Sequence, residues 1–148
     1  MPLDQAWAEA LGEVATAHPD DADLLVLYAE ALMNLQPWDY WEADRVTPKG
    51  RGDEIVAAVE RALELVPDHL GAAHLHPCVE ASADPGRAET VADRLRGAAP
   101  AAGHLTHMPA HLYLRIGRHD DSIAVNHDVI AADVCRATPT AWQSRTAA

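Results

Sequence analysis

Prolines punctuate this chain at a repeating distance, and that limits the folds open to it. Proline lacks an amide hydrogen and its ring clashes with the carbonyl four residues back, so a helix ends near it. Pro67 and Pro100 are 33 residues apart, and each closes a helical stretch. Ile55, Ala88 and Ser122, all small or apolar, recur at spacings of 33 and 34. Ala29, Pro77 and Ala110 each lie ten residues after a proline: Pro19, Pro67 and Pro100. Pro19 and Pro67 are 48 apart, which is 34 plus an insertion of 14. A period in this range marks stacked helix pairs.

The residues between the prolines are helix formers. Hydrophobic residues make up 49% of the 148, phenylalanine is absent, and runs of β-branched residues are missing. The expected class is all-α, with one domain over 1–136 and a C-terminal tail over 137–148. Lys and Arg number 11 against 23 Asp and Glu, a net charge of −12. Nucleic-acid phosphates and anionic membranes would repel such a chain, so neither is an expected partner. The sequence has no secretory signal pattern and no apolar run of bilayer length, which predicts a cytoplasmic protein. Cys78 and Cys135 suit a reducing compartment and give no disulfide framework.

The expected helices follow from period and caps. Asp4–Ala17 carries Trp7, Leu11 and Val14 at helical spacing, with Asp4 as N-cap. Asp20 or Asp21 caps the next, whose Leu24, Leu25, Leu27, Tyr28, Ala31, Leu32 and Leu35 cover more than one face. Residues 36–52 break the pattern and bring Trp38, Tyr40 and Trp41 together in a long loop. Such a loop is either self-packed or functional. Trp38 is expected to cover one end of the core, and Trp41 is open to either role. Asp53–Val66 buries Ile55, Val56, Val59, Leu63 and Val66. Helices over Gly71–Ala83, Pro85–Ala98, His104–Ile116 and His119–Arg136 complete the chain, with Gly117 as a C-terminal cap.

The stretch ERALELVPDH resembles the second helix and closing proline of a tetratricopeptide repeat. The resemblance covers nearly the whole chain. It implies a right-handed α-solenoid of antiparallel helix pairs, about three degenerate repeats, with the first helix of each pair lining a concave groove. The opening helix looks like the second half of a repeat, so the chain is also readable as part of a longer array. Three repeats are near the minimum for stability, and a homodimer is a further expectation.

One segment stands out chemically. Gly103–Tyr113 reads GHLTHMPAHLY and puts His104, His107 and His111 at i, i+3 and i+7. On a helix turning about 100° per residue these side chains fall within about 60° of one another. Three imidazoles on one stripe need partners for their donors and acceptors, and a shared metal ion supplies one. The preceding first helix carries His74, His76, Cys78 and Glu80. His76 with Glu80 and His74 with Cys78 each stand at i, i+4, on faces about 160° apart, so only one pair can meet the stripe. The earliest first helix adds Glu30. A groove lined by Glu30, Glu80, His104, His107 and His111, with His74 or His76, suits Zn, Cu, Ni or Fe better than Mg or Ca.

The phrases AEALMNLQPWDYW, VEAS and GHLTHMPAH also resemble a bacterial group of tetratricopeptide-like proteins with a GHLxHMPxH helix. The resemblance implies that His104, His107, His111, Glu80 and Glu30 match. The group has a histidine three residues before the glutamate, where this chain has Pro77, so His74 or His76 would stand in. Two functions follow. One is a metal site, catalytic if a coordination position stays open to activate water or dioxygen. The other is a protein- or peptide-binding scaffold. A metal, a small molecule or a peptide would occupy the groove. Glycine-rich phosphate loops, HExxH, GxSxG and CxxC are all missing. His18, His69 and His119 are expected at the surface, and His127 in a structural role.

Overall fold

A computed structural model describes residues 2–76 and 82–137, with side chains to residue 132 in the last helix. The described residues form seven α-helices and no strand. These are α1 (Leu3–Ala17), α2 (Ala22–Leu35), α3 (Gly52–Leu65), α4 (Leu70–Leu75), α5 (Glu89–Leu95), α6 (Gly103–Arg115) and α7 (His119–Ala137). A 3-10 turn, Pro85–Ala88, leads into α5. Each helix packs on its neighbour in sequence, and α2 also touches α4. None of the described helices is long and apolar enough to cross a membrane.

Local chemistry sets several helix ends. Asp21 caps α2, its carboxylate accepting from the Leu24 amide at 3.1 Å. Gly117, at φ 82°, turns the chain after α6. The Arg118 amide then reaches back to the Tyr113 carbonyl at 2.8 Å, closing a Schellman-type end. Helix α1 starts at Leu3 without a side-chain cap, so Asp4 lies inside its first turn. Two helices are shorter than their sequence period predicts. Helix α4 stops at Leu75, two residues before Pro77, and α5 begins only at Glu89. Pro109, by contrast, lies inside an unbroken α6. It withholds one amide there, the one that would have met the Leu105 carbonyl.

The core is rich in alanine, which lets helix axes approach closely. Ala8, Leu11, Leu32, Ile55, Leu112, Tyr113 and Val125 join α1, α2, α3, α6 and α7 in one cluster. A second cluster centres on Leu25, Ala29, Val59, Ala62 and Ala72. The α1 stripe is rotated from the expected one: Ala8, Leu11 and Ala15 are buried, while Trp7 and Val14 face solvent. Alanines on several faces let the helix present either side. Leu27, Leu35 and Val66 are exposed too, against expectation.

The 36–52 loop is self-packed. The Gln36 amide spans it, donating to the Asp39 and Lys49 carbonyls and accepting from the Arg51 amide. Asp44 ties down Val46 and Thr47, and Trp41 pairs with Pro48 across an isolated bridge. Tyr40, not Trp38, enters the core: Trp38 is 69% exposed, at φ 62°. Trp41 packs partly on the core, with the Arg87 guanidinium 6.0 Å from its ring centre. Gly52 is required here, because a Cβ at that position would lie 2.4 Å from the Tyr40 carbonyl oxygen.

Candidate functional site

Helix α6 presents its three histidines on one side, and they divide into two pairs. His104 meets α4: its Nε2 lies 2.9 Å from Nε2 of His74, with ring centres 4.9 Å apart in an edge-on arrangement. His107 and His111, one turn apart, stack edge-on at 4.8 Å. Burial and the neighbouring His104 both hold the His74 imidazole below its ordinary pKa, and the Glu30 carboxylate of α2 partly offsets this. Helices α2 and α6 therefore bring Glu30 and His104 each into electrostatic range of His74 on α4. Glu30 itself is exposed.

The two histidines of the α4 segment face different neighbours. His74 faces the α6 stripe. His76 turns the other way and is 3% exposed, with Nε2 3.7 Å from the Glu60 carboxylate. Glu60 in turn lies 3.5 Å from Arg87. Burial pushes the His76 imidazole below its ordinary pKa; Glu60 opposes this and Arg87 reinforces it. Among the described residues its Nδ1 has no hydrogen-bond partner, and the ring helps line a cavity of about 10 Å³ with Ala73, Val91, Met108, Pro109 and Leu112. That is room for about one water molecule. Glu80, Pro77, Cys78 and the tail 138–148 lie outside the described residues, as does the side chain of Cys135.

Among the described residues no group of three or more His, Cys, Asp or Glu side chains is arranged to hold a metal ion. The donor chemistry fits a two-nitrogen contact. With bonds of about 2.0–2.1 Å, two imidazole nitrogens on one ion lie about 2.9–3.4 Å apart. The His74–His104 separation of 2.9 Å is at the short end of that range.

Other histidines have plainer roles. His18, His119 and His127 are exposed, which for His127 replaces the structural role expected of it. His69 is more than a surface residue: its Nδ1 caps α4 by accepting from the Ala72 amide, and its Nε2 lies 3.0 Å from Asp23. Sequence reasoning passed over three polar groups. Asn126 of α7 holds His107 at 2.8 Å. Tyr28, Arg51 and Glu54 form a cluster beside α1, where burial and Glu54 push the tyrosine up to about 12. Arg118 lies 4.3 Å from the Tyr113 ring centre and pairs with Glu89, Asp93 and Asp121. The only advance signal for Asn126 was its i, i+4 spacing from Ser122.

No family model, curated protein or solved structure matches this chain.

Proposed function

We propose that this protein binds a divalent transition-metal ion (Zn, Cu, Ni or Fe) through the imidazoles where α4 meets α6, on a scaffold of degenerate tetratricopeptide-like helix pairs. The observation that carries the reading is the approach of His74 Nε2 to His104 Nε2 at 2.9 Å. Two neutral imidazoles that close share at most one proton, and a cation between them satisfies both lone pairs. Glu30 and Glu80 are the proposed carboxylates, with the remaining positions left to water or substrate. When bound, the ion would supply Lewis acidity at a partly exposed face. The chain's own histidines would fix its place, and a metal-dependent enzyme is the catalytic form of this reading.

Packing of each helix on its sequence neighbour supports the scaffold half of the proposal. The alternative, a peptide-binding scaffold without catalysis, draws on a different surface. A groove of about 350 Å³ runs past Ala15, Leu25, Tyr28 and Ala58 to Arg61. Calorimetric titration of tag-free protein with Zn²⁺ and Ni²⁺ separates the two. The metal reading expects saturable binding that weakens at least about 10-fold in His74→Ala and in His104→Ala. Binding that survives both substitutions, or none in the wild type, would leave only the scaffold.

A further inference from the structure

We propose that Asn126 is a positioning residue: it fixes His107 as the Nδ1–H tautomer and so leaves Nε2 as the atom that binds a ligand. Helix α7 supplies the constraint. The Asn126 side-chain nitrogen donates to the Ser122 carbonyl at 2.8 Å. A carbonyl only accepts, so the amide cannot be flipped, and its oxygen must face the other way. That oxygen lies 2.8 Å from Nδ1 of His107. An amide oxygen also only accepts, so the proton must sit on Nδ1. A neutral imidazole protonated at Nδ1 carries its lone pair on Nε2. Among the described residues, no protein group is hydrogen-bonded to that nitrogen.

The frame that holds Asn126 is rigid. Ser122 Oγ donates to the Ala110 carbonyl at 3.2 Å, pinning the same turn of α7 to the middle of α6. Val125, between the two polar residues, is fully buried in the core. His107 is thus gripped from α7 while its ring stacks against His111, one turn further along α6. An i, i+4 histidine pair on a helix is a bidentate donor set for a divalent ion, and histidine ligands elsewhere are oriented in the same way through the ring nitrogen that does not bind. An amide oxygen gives this orientation without a second negative charge, which would compete for the cation. The consequence for metal binding rests on the function proposed above; the tautomer does not.

The test is long-range ¹⁵N–¹H correlation NMR on metal-free protein at mildly alkaline pH, which reads each histidine's tautomer directly. Wild-type His107 is expected as Nδ1–H. Asn126→Leu keeps the volume but removes the acceptor, and should return His107 to the Nε2–H form. Asn126→Asp keeps an acceptor and should preserve Nδ1–H, so a leucine variant that folds poorly leaves the experiment decisive. Titrating Zn²⁺ into the same samples should perturb the His107 ring in the wild type and need roughly 10-fold more metal in Asn126→Leu. A wild-type His107 protonated at Nε2, a tautomer unchanged by Asn126→Leu, or equal zinc midpoints would overturn the proposal. Zinc that perturbs His74 and His104 but not His107 would overturn the ligand role of Nε2, whereas no response of any histidine ring would overturn the metal reading and leave only the tautomer established.

Discussion

Tyr113 gives the sharpest test of how α5, α6 and α7 are held together. The residue is fully buried, yet its hydroxyl reaches the edge of the core and donates to Asp93 Oδ1 at 2.7 Å. Arg118 covers the ring and bonds the same Asp93 oxygen at 2.8 Å. Tyr113→Phe removes one hydrogen bond to a charged acceptor, worth about 1.5–3 kcal/mol in a dry site. Asp93 keeps Arg118, and its side chain is 48% exposed, so water replaces part of the loss. The expected cost is therefore about 1 kcal/mol. Tyr113→Ala also loses the ring's burial and its contact with the Arg118 guanidinium, and should cost about 4 kcal/mol or more. Urea denaturation measures both. In the Asp93→Asn background Tyr113→Phe should cost less, and that double-mutant cycle isolates the pair. A Phe variant as stable as the wild type, or costs that simply add in the cycle, would refute the claim that this contact bears on stability.

Two further predictions follow from particular residues. His74 and His76 both have folded-state pKa values held below the ordinary 6.5, chiefly by burial. The unfolded chain therefore takes up their protons first as pH falls: their contribution to stability is complete above about pH 6.5 and is lost below it. In chelator-treated protein the melting temperature should drop between about pH 7 and 5, and His76→Gln should shrink that drop; an equal drop in the variant would refute the assignment. Gly52→Ala should destabilise by roughly 1–3 kcal/mol, because the Tyr40 carbonyl that its Cβ meets is backbone and yields only if the loop shifts. Thermal unfolding checks this, and an unchanged melting temperature would mean that the loop is looser than its hydrogen bonds imply.

What the sequence revealed, and what it hid, divides along the range of the interactions. The cap at Asp21, the turn at Gly117 and the helix ends near Pro19 and Pro67 were legible because each depends on chemistry within a few residues. The repeat frame also anticipated that the α4 and α6 histidines would be neighbours. It left open whether His74 or His76 would meet the stripe; the contact made is between His74 and His104. Sequence spacing alone does not fix the register of two packed helices to within a turn. The face of α1 was misread because alanine is compatible with either side, so Trp7 and Val14 looked like the stripe. The Glu60–Arg87–His76 contacts and the Asn126 grip on His107 join distant segments, with no local pattern to announce them. Pro109 is a residue that ordinarily breaks a helix, yet α6 accommodates it and runs on.

The central claim is that two helices deliver imidazole nitrogens to one small volume. Anomalous diffraction from crystals of tag-free protein equilibrated with one equivalent of Zn²⁺ tests it most directly. The expected result is a strong peak between the Nε2 atoms of His74 and His104, with any further zinc on the His107–His111 pair. A crystal that takes up no zinc, or one whose peak lies away from both rings, would contradict it.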